Sequence, residues 1–294
     1  MNFIDLQFDV LVELERIQDK NESLELHQYT TEQIKQAILE LKQLELIDEN
    51  QLVTLKGYRW LEPHRVKKAI FMAAGFGSRM VPLTFNTPKP LIKVNGRRII
   101  DTLLDAVLAA GITDITICRG YLADNFDLLL KKYPMIKFVE NPTYNEANNI
   151  GSALLIKDLM EDAYVLESDL VLYNPKRIRK YELHSNYMGK KVDQTDDWCF
   201  DVKDGVIQAV NVGGKDCYHM YGISFWKKED AKKMQEDIPA LYYSDGGKQK
   251  YWDEVSLRYF KDHYNIHVRE VFEGDIIEID TFNELKEIDS MYNV

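Results

Sequence analysis

Two stretches of this 294-residue chain carry the residue types that handle phosphate: Ala73-Ala74-Gly75-Phe76-Gly77-Ser78-Arg79-Met80-Val81-Pro82, and Thr87-Pro88-Lys89-Pro90-Leu91. Gly75 and Gly77 let the backbone approach a polyphosphate and aim its N–H groups there. Ser78 adds a hydroxyl. Arg79 supplies a planar fork of donors and Lys89 a point charge. The prolines fix the backbone that carries Lys89. A loop of the G-x-x-x-x-G-K-[ST] type is excluded, and so is a dinucleotide fingerprint, whose third glycine position falls on Met80. We assign Ala73, Ala74, Gly75, Gly77, Ser78 and Arg79 to nucleotide binding, with Arg79 and Lys89 as the catalytic cations.

Acids form the second constellation. Glu167-Ser168-Asp169 closes an apolar run, and Asp280 closes another at Asp275-Ile276-Ile277-Glu278-Ile279-Asp280. Mg²⁺ is held by one or two carboxylates together with phosphate oxygens and water, so Asp169 and Asp280 are the expected metal ligands. A competing role for Asp280 is to cap the helix that follows it. Aromatics beside acids form a third group: Trp198 after Asp196-Asp197, and Tyr251-Trp252-Asp253, with Tyr221 and Trp226 between them in sequence. The six histidines fall in no recognisable motif, so the chemistry is not expected to need a histidine base.

These stretches need a scaffold, and the chain from Val66 onward supplies one. VKKAIFMAAG is a short apolar run ending in glycine. Strand-like runs at 114–120, 136–142 and 163–172 alternate with helix-like segments at 100–110, 125–133 and 148–160, and a last strand leads into a helix at 282–289. Such alternation predicts an α/β fold with a doubly wound, mostly parallel sheet. Ligands of such sheets bind beyond the carboxyl ends of the strands, where the glycine loop and the acids fall. Asn148 and Asn149 open the helix 148–160, where they could serve as caps, and Ser152 lies one turn in.

Residues 1–65 follow a different pattern and are expected to form a separate domain from 66–294. The segment 6–17 places Leu6, Val10, Leu11, Leu14 and Ile17 on one helical face. Thr30 or Thr31 can cap a helix over 32–44 with Ile34, Ile38, Leu41 and Leu44 inward. A turn at 48–52 precedes LVTLKGYRWL, read as a short strand or wing. Helix, helix and wing resemble a winged helix-turn-helix. However, this part holds seven Lys+Arg against thirteen Asp+Glu. Phosphate contacts dominate DNA affinity, so a packing or dimerisation module, with a homodimer as one outcome, is expected rather than a DNA reader.

The whole chain has 37 Lys+Arg, 48 Asp+Glu and a net charge of -11, which excludes a general nucleic-acid binder. Three cysteines without a C-x-x-C pair argue for reduced thiols. No apolar run is long enough to cross a membrane, and the N-terminus lacks the basic and apolar regions of a secretory signal. A cytoplasmic protein is expected.

The combined G-x-G-S-R and P-K-P pattern resembles the nucleotidyltransferase signature of sugar-phosphate and choline-phosphate nucleotidylyltransferases. From about Val66 to Tyr292 the chain resembles the bacterial CTP:phosphocholine cytidylyltransferases. The resemblance rests on these loops, on Asn148-Asn149-Ile150 with Ser152, on Trp198, on Gly222-Ile223-Ser224-Phe225-Trp226, on Tyr251-Trp252-Asp253-Glu254 and on Glu278-Ile279-Asp280. It implies a Mg²⁺-dependent transfer of CMP from CTP to phosphocholine, giving CDP-choline and pyrophosphate. Asn148, Asn149 and Ser152 would then recognise cytosine or ribose. Trp198, Trp226, Tyr251, Trp252 and Asp253 would form the acceptor pocket, because a quaternary ammonium favours an aromatic cage. Glu167 stands where that family usually has aspartate. A primary-ammonium acceptor, phosphoethanolamine or 2-aminoethylphosphonate, also suits a carboxylate-rich pocket. A sugar-1-phosphate nucleotidylyltransferase and a nucleotide-sensing transcriptional regulator are the other readings.

Overall fold

The computed structural model describes residues 3–20 and 22–293. The chain divides into two compact units, Met1–Val66 with Arg179–Leu183, and Lys67–Ile178 with His184–Val294.

The first unit holds helices α1 (Phe3–Ile17), α2 (Thr31–Gln43) and α3 (Leu55–Leu61). Leu6, Val10, Leu11 and Leu14 of the α1 stripe are buried as their spacing requires, with Val10 and Leu11 fully inside, and Ile17 at the helix end is half-buried. Thr30 caps α2 through a reciprocal box: its hydroxyl accepts from the Gln33 amide, and the Gln33 side chain accepts from the Thr30 amide. Leu44, expected inward, is exposed, while Ala37 is buried in its stead. The expected wing is also corrected. Residues 55–61 are helical because Thr54 caps them, accepting from the Gly57 amide at 3.1 Å, and the β structure before them is a bridge between Ile47 and Val53. The returning segment Arg179–Leu183 completes the unit. Tyr181 is fully buried in its core and Arg179 pairs with Asp9 at 2.6 Å. Gly57 sits against the Leu46 carbonyl, where a Cβ would come within 2.2 Å of the oxygen. Gly57→Ala should therefore displace α3 and destabilise this unit by about 1–3 kcal/mol, measured as an earlier urea transition of the full chain.

The second unit is built on β1 (Lys68–Ala73), β2 (Lys93–Val94), β3 (Arg97–Arg98), α4 (Ile99–Ala109), β4 (Asp114–Arg119) and β5 (Lys137–Glu140). Next come α5 (Ile150–Ile156), β6 (Ala163–Glu167), β7 (Leu170–Leu172), β8 (Asn186–Lys203) and β9 (Val206–Trp226). The unit ends with α6 (Lys228–Tyr242), β10 (His267–Glu270), β11 (Ile276–Glu278) and α7 (Phe282–Ile288). One seven-stranded sheet runs in the order β10-β8-β9-β6-β1-β4-β5. β1 pairs in parallel with β4 and β6, β4 with β5, and β10 with β8. Residues 69–73 of β1 are all buried, as expected of a parallel strand covered on both faces.

Two features lay outside the alternating pattern. The run 163–172 is not one strand. β6 ends at Glu167 in the main sheet, and β7 leaves to pair antiparallel with β11, setting Leu170 opposite Glu278. Strands β8 and β9 form a long antiparallel ribbon closed at Asp204-Gly205, both with positive φ, the conformation that fits a two-residue hairpin turn. The ribbon brings together two thiols far apart in sequence. An ideal Cβ on Gly214 would lie 2.7 Å from Cys199 Sγ and 3.1 Å from Cys217 Sγ.

Candidate active site

A cavity of about 470 Å³ opens at the carboxyl ends of β1 and β6. Its phosphate side is built by the loop after β1. Ala73, Ala74, Gly75, Gly77, Ser78 and Arg79 all line it, with Lys89 and Pro90. Gly77 takes a left-handed φ of 65°, which favours glycine, and a Cβ there would come within 3.1 Å of Lys89 Cβ. A Cβ on Gly75 would meet nothing, so this backbone lies open. Thr84 donates to the Gly77 carbonyl at 3.1 Å, and Tyr121 donates to the Thr84 carbonyl at 2.8 Å, tying the loop down from behind.

The acids meet opposite these cations. Carboxylate oxygens of Asp169, Glu278 and Asp280 lie within 4.8 Å of one another. The switch of strand direction after Glu167 causes this: β7 and β11 run side by side, and the Ile279 amide donates to the Asp169 carbonyl at 3.2 Å. Lys89 Nζ lies 3.0 Å from both Asp169 Oδ2 and Asp280 Oδ1. Arg79 reaches the same Asp280 oxygen at 2.8 Å. Burial alone would lower the Lys89 ammonium, but the two carboxylates outweigh it and hold it above its usual range. Burial raises Glu278 well above the usual carboxylate range, and Asp169 and Asp280 push it the same way. Asp169 Oδ1 is buried with no hydrogen-bond partner. Clustered hard oxygens with one unused lone-pair site are a donor set that fits a divalent cation. Asp280 is not the cap of α7. Thr281 is, accepting from the Glu284 amide at 3.2 Å. Glu278 was missing from the expected ligands, although its two-residue spacing from Asp280 in an extended segment places both on one side.

Between the acids and the far wall lies a half-buried polar chain. Asn149 donates to Glu167 Oε1 at 3.2 Å and accepts from the Trp252 amide at 2.9 Å. The amide of Asn148 is likewise engaged, accepting from the Asn149 backbone at 2.7 Å. Both line the cavity, as does Ser152, which accepts from Asn141 at 3.0 Å. Neither asparagine is a plain helix cap, since α5 starts without a side-chain cap, and the Asn149 amide is committed at both ends. Beside its expected part in recognising cytosine or ribose, Asn149 thus ties α5 to the 249–253 loop.

The expected aromatic cage is only partly assembled. Trp198 and Tyr251 line the cavity edge to face, with ring centroids 5.5 Å apart, and Asp253 lies beside them. Trp226 and Trp252, 0% and 1% exposed, are packed into the core and do not reach the cavity. Neither neighbourhood signals this: Trp252 adjoins Asp253 and Trp226 lies between Phe225 and Lys227, and both settings are consistent with either face of a strand or turn. Asp253 Oδ1 accepts from Tyr187 at 2.9 Å. Burial drives its carboxyl up to about 7 against that hydrogen bond. An acid with a raised folded pKa binds more protons native than unfolded, so its contribution to stability declines as pH rises. The ligand-free protein should therefore lose stability relative to Asp253→Asn between about pH 4 and pH 7, read as diverging melting temperatures across that range.

A mostly parallel sheet with a glycine loop, two cations and a carboxylate cluster at its strand ends defines a class of phosphoryl-group enzymes. Residues 68–189 match the family described as Nucleotidyl transferase. The chain is 37% identical to the 2-aminoethylphosphonate cytidylyltransferase of Lancefieldella rimae over 228 residues, 76% of this chain and 92% of that one. It is 32% identical to the choline-phosphate cytidylyltransferase of Streptococcus pneumoniae over 226 residues, 76% of this chain and 97% of that one. The solved CTP:phosphocholine cytidylyltransferase of Streptococcus pneumoniae superposes with a TM-score of 0.71 at 33% identity, covering 77% of this chain and 99% of that one. The chain belongs to the nucleotidyltransferase family, within its cytidylyltransferase group. Among the described residues no helix is long and apolar enough to cross a membrane.

Proposed function

We propose that this enzyme transfers the CMP group of CTP to a phosphate or phosphonate oxygen of a small acceptor bearing a positively charged amine, releasing pyrophosphate. Phosphocholine, phosphoethanolamine and 2-aminoethylphosphonate are acceptors of this class. The observation that carries the proposal is that one cavity joins the glycine loop, the Lys89–Arg79 cations and the acid cluster to a wall of Trp198, Tyr251 and Asp253. The first three suit a triphosphate, and the last suits an ammonium group.

In this reading an acceptor oxygen attacks the α-phosphorus. The new bond is oxygen to α-phosphorus, and the bond to the bridging oxygen of pyrophosphate breaks. A phosphomonoester has a second pKa near 6 and is already largely dianionic at neutral pH, so no base has to remove a proton. In keeping with this, no histidine lines the cavity among the described residues. Catalysis is positioning and charge cancellation. The amides after Gly75 and Gly77 hold the leaving phosphates, with Arg79 at their edge. Lys89 offers its charge to the α-phosphate or the acceptor phosphate. Asp169 and Asp280, with Glu278 beside them, would hold Mg²⁺, which when bound neutralises phosphate charge. Product analysis tests the proposal. Incubation with CTP, Mg²⁺ and each of the three acceptors should give a CMP adduct of at least one of them by mass spectrometry. Free CMP alone, or no product, would count against it.

A further inference from the structure

Two groups on the cavity wall can recognise the acceptor's cation, and they suit different cations. Trimethylammonium presents only methyl groups and needs aromatic faces. A primary ammonium presents N–H donors and needs oxygens at hydrogen-bond distance. The aromatic share is small here. Trp226 and Trp252 are core, and Arg258 already stacks over the Trp198 ring at 5.7 Å from its centroid. The oxygen share is large. Glu167 and Asp253 both face the cavity, each anchored through one oxygen: Glu167 Oε1 by Asn149 and Asp253 Oδ1 by Tyr187.

The placement of Glu167 depends on a gap in the neighbouring strand. Its Oε2 lies over Gly222, where a Cβ would come within 2.3 Å of that oxygen. Any other residue at 222 would expel the carboxyl from its seat. Anchored by Asn149 and admitted by Gly222, the side chain is held in one position, as recognition of a directional N–H donor demands.

Resting on the cytidylyltransferase reading above, we propose that Glu167, seated over Gly222 on the cavity wall that Asp253 also lines, forms with it the ammonium-binding end of the acceptor site and selects primary-ammonium acceptors over trimethylammonium ones. A site built from oxygens leaves the second oxygen of each anchored carboxyl facing methyls instead of a donor, and such mismatches discriminate strongly.

Phosphoethanolamine and phosphocholine differ only in the N-methyl groups, so their kcat/KM ratio at saturating CTP isolates the effect. The wild type should favour phosphoethanolamine by at least about tenfold. Glu167→Gln keeps the shape and the bond from Asn149 but turns a donor toward the ammonium. It should lower kcat/KM for phosphoethanolamine about 30-fold or more, leave phosphocholine within about threefold, and leave the KM for CTP unchanged. Gly222→Ala should shift the ratio in the same direction. A wild type that prefers phosphocholine would overturn the proposal without any variant. Equal losses for both acceptors in Glu167→Gln, or a raised KM for CTP or raised Mg²⁺ requirement, would place Glu167 at the nucleotide end and overturn it while the cytidylyltransferase reading stands. An enzyme active with neither acceptor nor 2-aminoethylphosphonate would overturn both.

Discussion

Asp280→Asn should turn over at least about 10³-fold more slowly than the wild type at saturating CTP and Mg²⁺, which corresponds to about 4 kcal/mol of lost transition-state stabilisation. Three roles converge on this carboxylate. It meets Lys89 at 3.0 Å, Arg79 at 2.8 Å, and shares the acid cluster with Asp169 and Glu278. Removing its charge leaves two cations without their common partner and weakens the donor set for a divalent ion. The helix after it should survive, because its cap is Thr281 and not Asp280. The expected pattern is a large drop in kcat, an increased Mg²⁺ concentration for half-maximal rate, and a far-UV circular dichroism spectrum like that of the wild type. Near-normal turnover with an unchanged Mg²⁺ requirement would remove Asp280 from the site's chemistry.

Lys89→Met should lower kcat by about 10²–10³, the usual cost of deleting one preorganised electrostatic stabiliser. A second effect separates this from a simple packing role. Lys89 is 8% exposed and bridges Asp169 and Asp280. Removing Lys89 leaves Asp169 without its cation and Asp280 with Arg79 alone, so the clustered carboxylates repel with less charge to offset them. The metal-free variant should therefore melt below the wild type, and added Mg²⁺ should raise its melting temperature more than it raises that of the wild type. Equal Mg²⁺ stabilisation of both proteins would show that the ion and the lysine do not share these carboxylates. The stability of the Lys89 pairing is insensitive to pH near neutrality. A lysine with a raised folded pKa keeps its contribution below about pH 10.4 and loses it as pH climbs through the folded value.

Local patterns carried the parallel half of the sheet and the phosphate loop, because both are contiguous in sequence. The β1 run ending at Gly75, the Thr30 cap and the amphipathic stripe of α1 are each decided by neighbours a few residues apart. What the sequence hid depends on distant partners. The bend after Glu167 exists because β7 finds β11 more than 100 residues later, with Leu170 opposite Glu278. That pairing assembles the acid cluster, so Glu278 remained unassigned. The 52–61 segment was misread because its alternation is ambiguous over so few residues, and the Thr54 cap decides it. The tryptophans divide for a similar reason. Trp198 and Trp252 both adjoin acids, yet Trp198, on β8, lines the cavity while Trp252 packs against Tyr187 and Trp226 in the core. Asn149 carries a further role that only distant partners reveal: its side chain holds Glu167 and the 249–253 loop.

The most direct test of the account is the rate of pyrophosphate release by the purified protein with Mg²⁺, comparing CTP, UTP, ATP and GTP, each with phosphoethanolamine, 2-aminoethylphosphonate, phosphocholine or glucose-1-phosphate. Release is expected to require both CTP and an amine-bearing acceptor. Release with glucose-1-phosphate and another nucleotide would contradict the assignment of the Trp198–Tyr251–Asp253 wall, and no release with any pair would contradict the enzymatic reading of the whole cavity.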